Sequence, residues 1–546
     1  MKRLFIPLLI LVIGVITIVG CAAPAPVKTA APAATVLTTT AAPAVPKPAT
    51  TSAPAATITA AKPVATQATT GQQYGGTLKF IGTVSPSVLG YPPDGDTNTG
   101  TASRPCVDSL LWNDEKGDPV PRLATAWDVT ADGKTMLFIL RKGVKFQDGS
   151  DFNAQAVAWN YNEQIAKNKA SLDPVTNVVA LDDYTVRMDL SKFSNAIYNV
   201  LAFASIVSPT AFNKNGKDWA RLNPVGTGPF KFVDFKSNVS LRYVKFDNYW
   251  DKGKPYLDGF EFNYVADKTV AAMAFEKGDA HIMTQLTEKI ASDLKAKGFP
   301  IRAMAGSSWF LVSDSKNADS PFAKAKVREA VEYAIDKVKI AQATGFGLVY
   351  ASYQLAPPDI VGYNASLQPR VYDPAKARQL LKEAGYPTGF KTKFISQSSY
   401  NQDQIVAIQT FLKEVGIDAT LDITDAARWT DYRLKGWVNG LAISRTGTDP
   451  NMNQQMVRDL ATNTQWLPCL ARPAAWQSTL DESVAARDIA TRKVKQESLM
   501  KMAYDEAFVT PLWIGCDIAA MQKNVNSDIL VTHHQQFKPA DIWLSK

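Results

Sequence analysis

TKFISQSSYNQDQIVAIQTFLKEVGIDATLDI, residues 392–423, decides the fold class. Ile405, Ile408, Leu412 and Val415 recur three and four residues apart, which places them on one face of a helix. Gly416 stops that helix, and Ile417, Ala419, Leu421 and Ile423 then alternate with polar residues, the period of a half-buried strand. Phe394-Ile395, ahead of the helix, reads as another strand. Strand, helix and strand in this order form a βαβ-like unit, so this half of the chain is expected to be an α/β lobe.

Working outward, Asp373-Pro374 supplies an N-cap and a proline at the first helical position. Ala377, Leu380, Leu381 and Ala384 follow at helical spacing, and Gly385 terminates the helix. Thr77-Leu78-Lys79-Phe80-Ile81, after Gly75-Gly76, reads as the opening strand of the folded part. Most of the apolar residues in these segments are core.

The N-terminus reads as an address. Lys2 and Arg3 precede an apolar run from Leu4 to Gly20 that ends at Ile18-Val19-Gly20-Cys21. The run is about the shortest that could cross a hydrocarbon core of roughly 30 Å, so an uncleaved membrane anchor is the competing reading. Its end, an aliphatic residue, a small residue and cysteine, resembles the bacterial lipobox, which implies a signal peptide over 1–20 and a lipidated Cys21. Residues 21–72 are almost wholly Ala, Pro, Thr, Val and Ser with scattered lysines, and show neither strand nor helix period. This stretch is expected to be a semi-flexible stalk reaching on the order of 40 Å as a coil.

Composition narrows the function. The chain has 546 residues, 46% hydrophobic and 20% charged, enough for two or three core-bearing units. Its net charge of +8 comes from 59 basic and 51 acidic residues mixed along the chain, with no basic stripe of the kind that tracks nucleic acid. Four cysteines and three histidines leave little for a metal site, and no cofactor is expected. Cys106, Cys469 and Cys516 remain after lipidation, which suits one disulfide with a spare thiol as well as three buried thiols.

A series of motifs runs through the middle of the chain. Pro121-Arg122-Leu123-Ala124-Thr125-Ala126-Trp127 precedes Asp132-Gly133-Lys134-Thr135 and then Phe138-Ile139-Leu140-Arg141-Lys142-Gly143-Val144-Lys145-Phe146-Gln147-Asp148-Gly149. Pro224-Val225-Gly226-Thr227-Gly228-Pro229-Phe230, Asn248-Tyr249-Trp250, Pro255-Tyr256-Leu257-Asp258, Val327-Arg328-Glu329-Ala330 and Tyr333-Ala334-Ile335-Asp336 follow, then the Asp373 helix with its Gly385-Tyr386-Pro387 exit and a late Thr510-Pro511-Leu512 strand. Asp132-Gly133 and Asp148-Gly149 suit hairpin turns, and Gly226 with Gly228 suits a close approach of backbone to backbone. No Lys-Ser/Thr follows these glycines and no G-x-G-x-x-G spacing occurs, which removes the phosphate-loop alternative.

In this order, from about residue 75 to 520, the motifs resemble the extracytoplasmic solute-binding proteins of family 5, the peptide, nickel and oligosaccharide class that serves ABC importers. The resemblance implies a two-lobed α/β fold of the periplasmic-binding-protein type, of the large type II class with an extra subdomain and a hinge between lobes. Lobe I is expected from 76–313 plus 508–546, with a subdomain near 106–222, and lobe II from 314–507. It implies a monomer on the outer face of the membrane, held by its lipid anchor. Such a protein captures a small molecule, oligopeptide or oligosaccharide by hinge closure and delivers it to the transmembrane subunits of a permease, without covalent chemistry.

The resemblance also points to site residues, and to departures at them. Peptide-binding members place an aspartate shortly before the Asp-Pro of lobe II to meet a peptide's amino group; here Thr446 precedes Asp449-Pro450. Dipeptide-binding members place an arginine ahead of a Tyr-Asn pair to hold the carboxylate; here Ser398 precedes Tyr400-Asn401. Both ends of a zwitterionic peptide lose their usual partner. Arg445, beside Thr446, suits an anionic or hydroxyl-rich ligand, and equally a solvated or inter-lobe ion pair. Trp309 and Trp429 fall where relatives approach the cleft and could stack on a ligand, with core packing as the other role. Tyr91, after the first strand, and Ser308, beside Trp309, are similarly placed.

A secreted hydrolase acting on peptides or glycosides is the competing class. It needs a nucleophile with a base, or a metal, yet His281, His533 and His534 sit in no H-E-x-x-H or G-x-S-x-G context. The expectation is therefore a binding protein and not an enzyme.

Overall fold

The computed structural model describes residues 71–546 apart from 96, 115–116, 168–171, 450 and 528–536. Cys21, the apolar run before it and nearly all of the Ala/Pro/Thr-rich stretch lie outside the described residues, as do His533 and His534. Among the described residues no helix is long and apolar enough to cross a membrane.

The deciding stretch folds as its pattern requires. Phe390–Gln397 and Ile417–Thr424 are parallel strands, with Phe394 opposite Leu421, joined by the helix Gln402–Glu414. Ile405, Ile408 and Leu412 are buried with Leu380, Leu381 and Phe394 in one core, and each such side chain contributes roughly 1.5–3 kcal/mol of transfer free energy. The preceding helix spans Pro374–Glu383, with the Asp373 carboxylate accepting from the Lys376 amide at 2.9 Å and Gly385 at a φ of 91° just beyond its end. The alternation in Ile417–Thr424 fades at its far end, where Leu421 is half-buried and Ile423 exposed. That strand is the sheet's edge.

An eleven-stranded mixed sheet runs through the fold. From the edge just named the order is Ile417–Thr424, Phe390–Gln397, Gly440–Gly447, Ile301–Ser313, Val509–Met521, Ile282–Thr284, Thr77–Gly82, Gly259–Tyr264, Ser240–Lys245 and Phe230–Lys236, while Val349–Ala351 pairs on Val509–Met521. Ile301–Ser313 and Val509–Met521 are antiparallel to each other and long enough to serve two groups of strands. Ser307–Ser313 pairs with Gly440–Gly447, whereas Ala519–Met521 pairs with Ile282–Thr284. Between these groups, at Ala305/Ser307, the register slips. Gly306 sits at that slip, and a Cβ there would lie 2.5 Å from the Asp517 carboxyl carbon.

Separate cores lie on either side of this crossing, giving the two-lobed α/β architecture. Phe80, Phe230, Phe260 and Phe262 anchor one side; Trp429, Trp437, Trp476 and Phe508 pack on the other, beside the core of the βαβ unit. A third body is built on the antiparallel sheet Ala124–Val129, Thr135–Leu140, Thr185–Leu190, Val175–Ala180, with the helix Ala154–Ala166 against it. Phe138, Phe146, Phe152 and Tyr161 fill its core. Gly133 makes the turn between the first two of these strands at a φ of 68°.

The motif residues act as joints. Gly226 and Gly228 press on the backbone of Cys106, where an added Cβ would come within 2.3 Å and 2.5 Å of it. Gln147, buried beside them, directs its Nε2 at the carbonyls of Cys106, Gly228 and Phe230 at 2.9–3.0 Å. Its Oε1 accepts from the Cys106 thiol at 3.0 Å and the Gly226 amide at 3.3 Å. A second polar joint ties the helix Ala196–Phe203 to the far side of the molecule. Asn195 donates through Nδ2 to the carbonyls of Ser483 and Ala486, and its Oδ1 accepts from Asn451 and Asn453 at 3.2 Å and 3.0 Å. Asn199 donates to Gln454 at 2.7 Å. Cys106, Cys469 and Cys516 are all free thiols, the first two buried and the third half-buried.

Candidate ligand-binding site

In sheets with parallel strands, ligands favour the crevice beyond the carboxyl ends of the strands. Phe390–Gln397 and Gly440–Gly447 are parallel neighbours, and a cleft of about 450 Å³ opens at their carboxyl ends. Gln397 and Tyr400 line it from the first strand and its loop; Ser444, Arg445, Thr446 and Gly447 line it from the second; Ser307 contributes from the crossing strand. Trp429 and Arg433 enter from the helix Ala426–Lys435, Arg458 from the helix Asn453–Leu460, and Trp466 from the loop after it. The volume falls in the ~300–1,000 Å³ range of small-molecule sites.

The aromatic wall is a chain of edge-on ring contacts. Trp309 meets Tyr400 edge-on with centroids 4.8 Å apart, and Tyr400 meets Trp429 at 6.4 Å in the same manner. The Arg445 guanidinium lies 5.5 Å from the Trp309 ring centre, and that of Arg433 lies 3.7 Å from Trp466. Burial raises the pKa of the Tyr400 hydroxyl, and the Arg445 and Arg433 charges oppose the rise.

The polar wall is organised around Asp459, which is buried. Its Oδ1 accepts from Arg433 Nη2 at 3.2 Å and from Arg458 Nε at 2.8 Å; its Oδ2 accepts from Arg458 Nη2 at 2.7 Å and from the Thr446 hydroxyl at 2.9 Å. Burial lowers the pKa of the Arg433 guanidinium, with Asp459 acting against that and Arg458 adding to it. The hydrogen bond to Asp459 raises that of Arg458. Arg433 Nε is buried and has no hydrogen-bond partner in the structure.

Four of the residues expected from the sequence therefore line one cleft: Tyr400, Trp429, Arg445 and Thr446. Trp309 stands behind Tyr400. Ser308, fully buried, lies opposite Thr446 in the neighbouring strand, and its hydroxyl has no hydrogen-bond partner. Asn401 caps the helix Gln402–Glu414, accepting from the Asp403 amide at 3.1 Å. Tyr91 is not among the lining residues: its hydroxyl donates to Glu163 at 2.6 Å and its ring stacks on Phe212 at 5.5 Å. Arg433, Arg458, Asp459 and Trp466 escaped the sequence reading. Arg433 follows Trp429 by one helical turn, a spacing that could have flagged it; the Arg458-Asp459 pair carries no such signal.

His281, considered for a hydrolase, accepts the Lys79 amide proton at Nδ1 over 3.0 Å, and burial lowers its pKa. It serves the opening strand. Among the described residues no three His, Cys, Asp or Glu side chains gather as a metal site.

Residues 118–467 match the family described as bacterial extracellular solute-binding proteins, family 5 Middle. The glutathione-binding protein GsiB of Salmonella choleraesuis is 32% identical over 407 residues, 72% of this chain and 79% of that protein. GsiB of Escherichia coli O1:K1 matches to the same extent. Among solved structures, the ABC transporter-associated periplasmic binding protein DppA of Helicobacter pylori, in complex with the peptide STSA, superposes with a TM-score of 0.71 at 24% identity, covering 87% of this chain and 99% of that one. The binding protein AgaA of A. tumefaciens R10, in complex with agropinic acid, gives 0.70 at 26%, covering 86% and 99%.

Proposed function

The chain belongs to the bacterial extracellular solute-binding proteins of family 5, and from that premise we propose that it captures a small peptide-like solute in the cleft around Tyr400, Trp429 and Thr446. It is a substrate-binding protein of an ABC importer and not an enzyme, and nothing among its relatives supports the hydrolase alternative. The observation that carries the ligand site is the cleft at the carboxyl ends of two parallel strands, with aromatic rings on one wall and guanidiniums on the other. The glutathione-binding relatives favour a peptide-like solute of tripeptide size.

The mechanism is a population shift between open and closed lobes that a permease reads. We take lobe I as 76–313 plus 508–546, with its subdomain at 106–222, and lobe II as 314–507. The exchange of sheet partners at Ala305/Ser307 supports a hinge within the two crossing strands.

Acyl chains on Cys21 hold the protein to the membrane, each buried methylene contributing roughly 0.8 kcal/mol. The stalk of residues 21–72 lets a monomeric receptor reach both its ligand and its permease.

Two experiments test this. Protein purified from the producing cell and denatured should release a peptide-like solute, identified by mass spectrometry, and refolded protein should bind it saturably without product. Turnover of peptides or glycosides, or a bound solute unrelated to peptides, would refute the reading. Cys21→Ala should move the protein from the membrane fraction into the soluble one; continued membrane association would favour the uncleaved anchor.

A further inference from the structure

We propose that the cleft selects a solute bearing at least two anionic groups, one met by Arg433 and Arg458 and one by Arg445; this rests on the solute-capture reading above.

The charge of the lining points one way. Three guanidiniums and no carboxylate line the cleft. Asp459, behind it, has both oxygens taken up by Arg433, Arg458 and the Thr446 hydroxyl. A solute ammonium entering here meets no acceptor carboxylate that is not already shared. Asp449 holds Gln455, beside the lining Gly447, and its charge acts on Arg458. The balance is therefore positive by one charge, three guanidiniums against Asp459 and Asp449, with Arg445 the guanidinium that neither carboxylate pairs, so a cationic group in the cleft is disfavoured.

The donors are also organised. A guanidinium has five N–H groups in a fixed fork. Arg433 spends Nη2 on Asp459 and keeps its buried Nε–H without a partner. Its plane is fixed against Trp466. Asp459 thus works as an orienting group: it turns Arg433 and Arg458 to the same place, and it links them to Thr446 on the strand. Arg445 is pinned separately over Trp309, on the strand that carries Thr446. Two anion positions with an aromatic wall formed by Tyr400 and Trp429 fit a flexible solute with an acidic group at each end and an apolar or polarisable middle. The Arg458 fork is taken by Asp459 through Nε and Nη2, which leaves its Nη1 to join Arg433 at the first position, while Arg445 offers carboxylate or phosphate a fork of its own.

The test uses the full purified chain and three probes of one skeleton, followed by calorimetry. Glutathione carries two carboxylates and an ammonium; its N-acetyl derivative loses the ammonium; its diethyl ester loses both carboxylates. The expected order is N-acetyl derivative at least as tight as glutathione, and the ester weaker than either by about a hundredfold, as two charge-assisted contacts of about tenfold each require. Arg445→Gln, which leaves the Asp459 cluster untouched, should weaken both acidic probes about tenfold and flatten the salt dependence of binding. Arg433→Gln should do the same, with Arg242→Gln, on the far side of the sheet, as the unchanged control.

Equal binding of the ester overturns this inference and leaves solute capture standing. So does a native solute, released on denaturation, that is neutral or cationic. If no probe binds and denaturation releases no solute, the inference and the capture reading fall together. A released solute with two or more acidic groups supports the inference whichever probe binds, and the phosphate or carboxylate nature of those groups is read from its mass.

Discussion

Gln147→Leu isolates what the motif Phe146-Gln147-Asp148-Gly149 does. The Gln147 side chain is 6% exposed and is shared among three segments: its two Nε2 hydrogens serve the carbonyls of Cys106, Gly228 and Phe230, and its Oε1 takes the Gly226 amide and the Cys106 thiol. Leucine fills similar space and supplies none of these. Each buried polar group left without its partner costs about 1–3 kcal/mol, and the Cys106 carbonyl keeps the Gly228 amide as a second donor. Two carbonyls and one amide are thus exposed to loss, and the apolar side chain returns part of the cost. The expected destabilisation is about 3–5 kcal/mol. Urea unfolding followed by tryptophan fluorescence reads this as a lower midpoint at unchanged slope. Gln147→Glu keeps the acceptor and loses the donors at neutral pH, so it should cost at least as much. Gln379→Leu, at an exposed glutamine whose side chain bonds Glu383 in its own helix, should stay within about 0.5 kcal/mol of the parent. A Gln147→Leu cost below about 1 kcal/mol would refute the joint, because it would mean the close approach of Gly226 and Gly228 to Cys106 holds without the amide.

Asn195→Ala removes two donated and two accepted hydrogen bonds between the helix Ala196–Phe203 and the region around Ser483. It should hinder closure, seen as a larger radius of gyration of the ligand-saturated protein, and weaken binding although Asn195 lies outside the cleft; an unchanged radius would remove its role in closure. Trp429→Ala should weaken ligand binding about tenfold or more, measured by calorimetry, and, because Trp429 is buried in the core, also cost about 3–5 kcal/mol of stability; Trp429→Phe keeps more of the packing and should weaken binding with a smaller stability loss. Lys337 is buried beside Glu332, which already pairs with Arg370 at 3.0 Å. Burial brings the Lys337 amine down to about 8 from 10.5. Between those values the unfolded chain holds a proton that the folded one lacks, so this group makes stability rise with pH in that window. Lys337→Met should flatten the rise and be neutral or stabilising at pH 7, checked by unfolding at several pH values; a steeper rise would contradict the sign. The thiols are pushed up by burial, Cys106 to about 12 and Cys469 and Cys516 to about 11. A disulfide-exchange reagent at pH 7.5 should therefore react slowly with all three in the native protein and quickly in urea.

Much of the fold was legible because its elements obey local rules. Ile405, Ile408, Leu412 and Gly416 specify a helix and its end whatever surrounds them, and Asp373-Pro374 caps its helix through a contact three residues away. Gly226 and Gly228 could be read as points of close approach, though not what they approach; that Cys106 and Gln147 complete the joint is a fact of tertiary packing. The crossing strands show the same limit. Thr510-Pro511-Leu512 announces a strand, but its continuation to Met521 and its change of partners along the way depend on residues hundreds of positions earlier. In the site, Thr446, Arg445, Tyr400 and Trp429 were reachable by family order. Asp459 was not: it restores a carboxylate behind Thr446 from a different helix, and no spacing within the strand signals it.

The most direct test of ligand capture by lobe closure is small-angle scattering of the purified protein, stripped of solute, as glutathione is added. The radius of gyration should fall and saturate at one glutathione per chain, and the glutathione recovered afterwards should be chemically unchanged. A radius that stays constant while the peptide binds, or recovery of glutathione hydrolysed to its amino acids, would contradict a hinged receptor that encloses its ligand without chemistry.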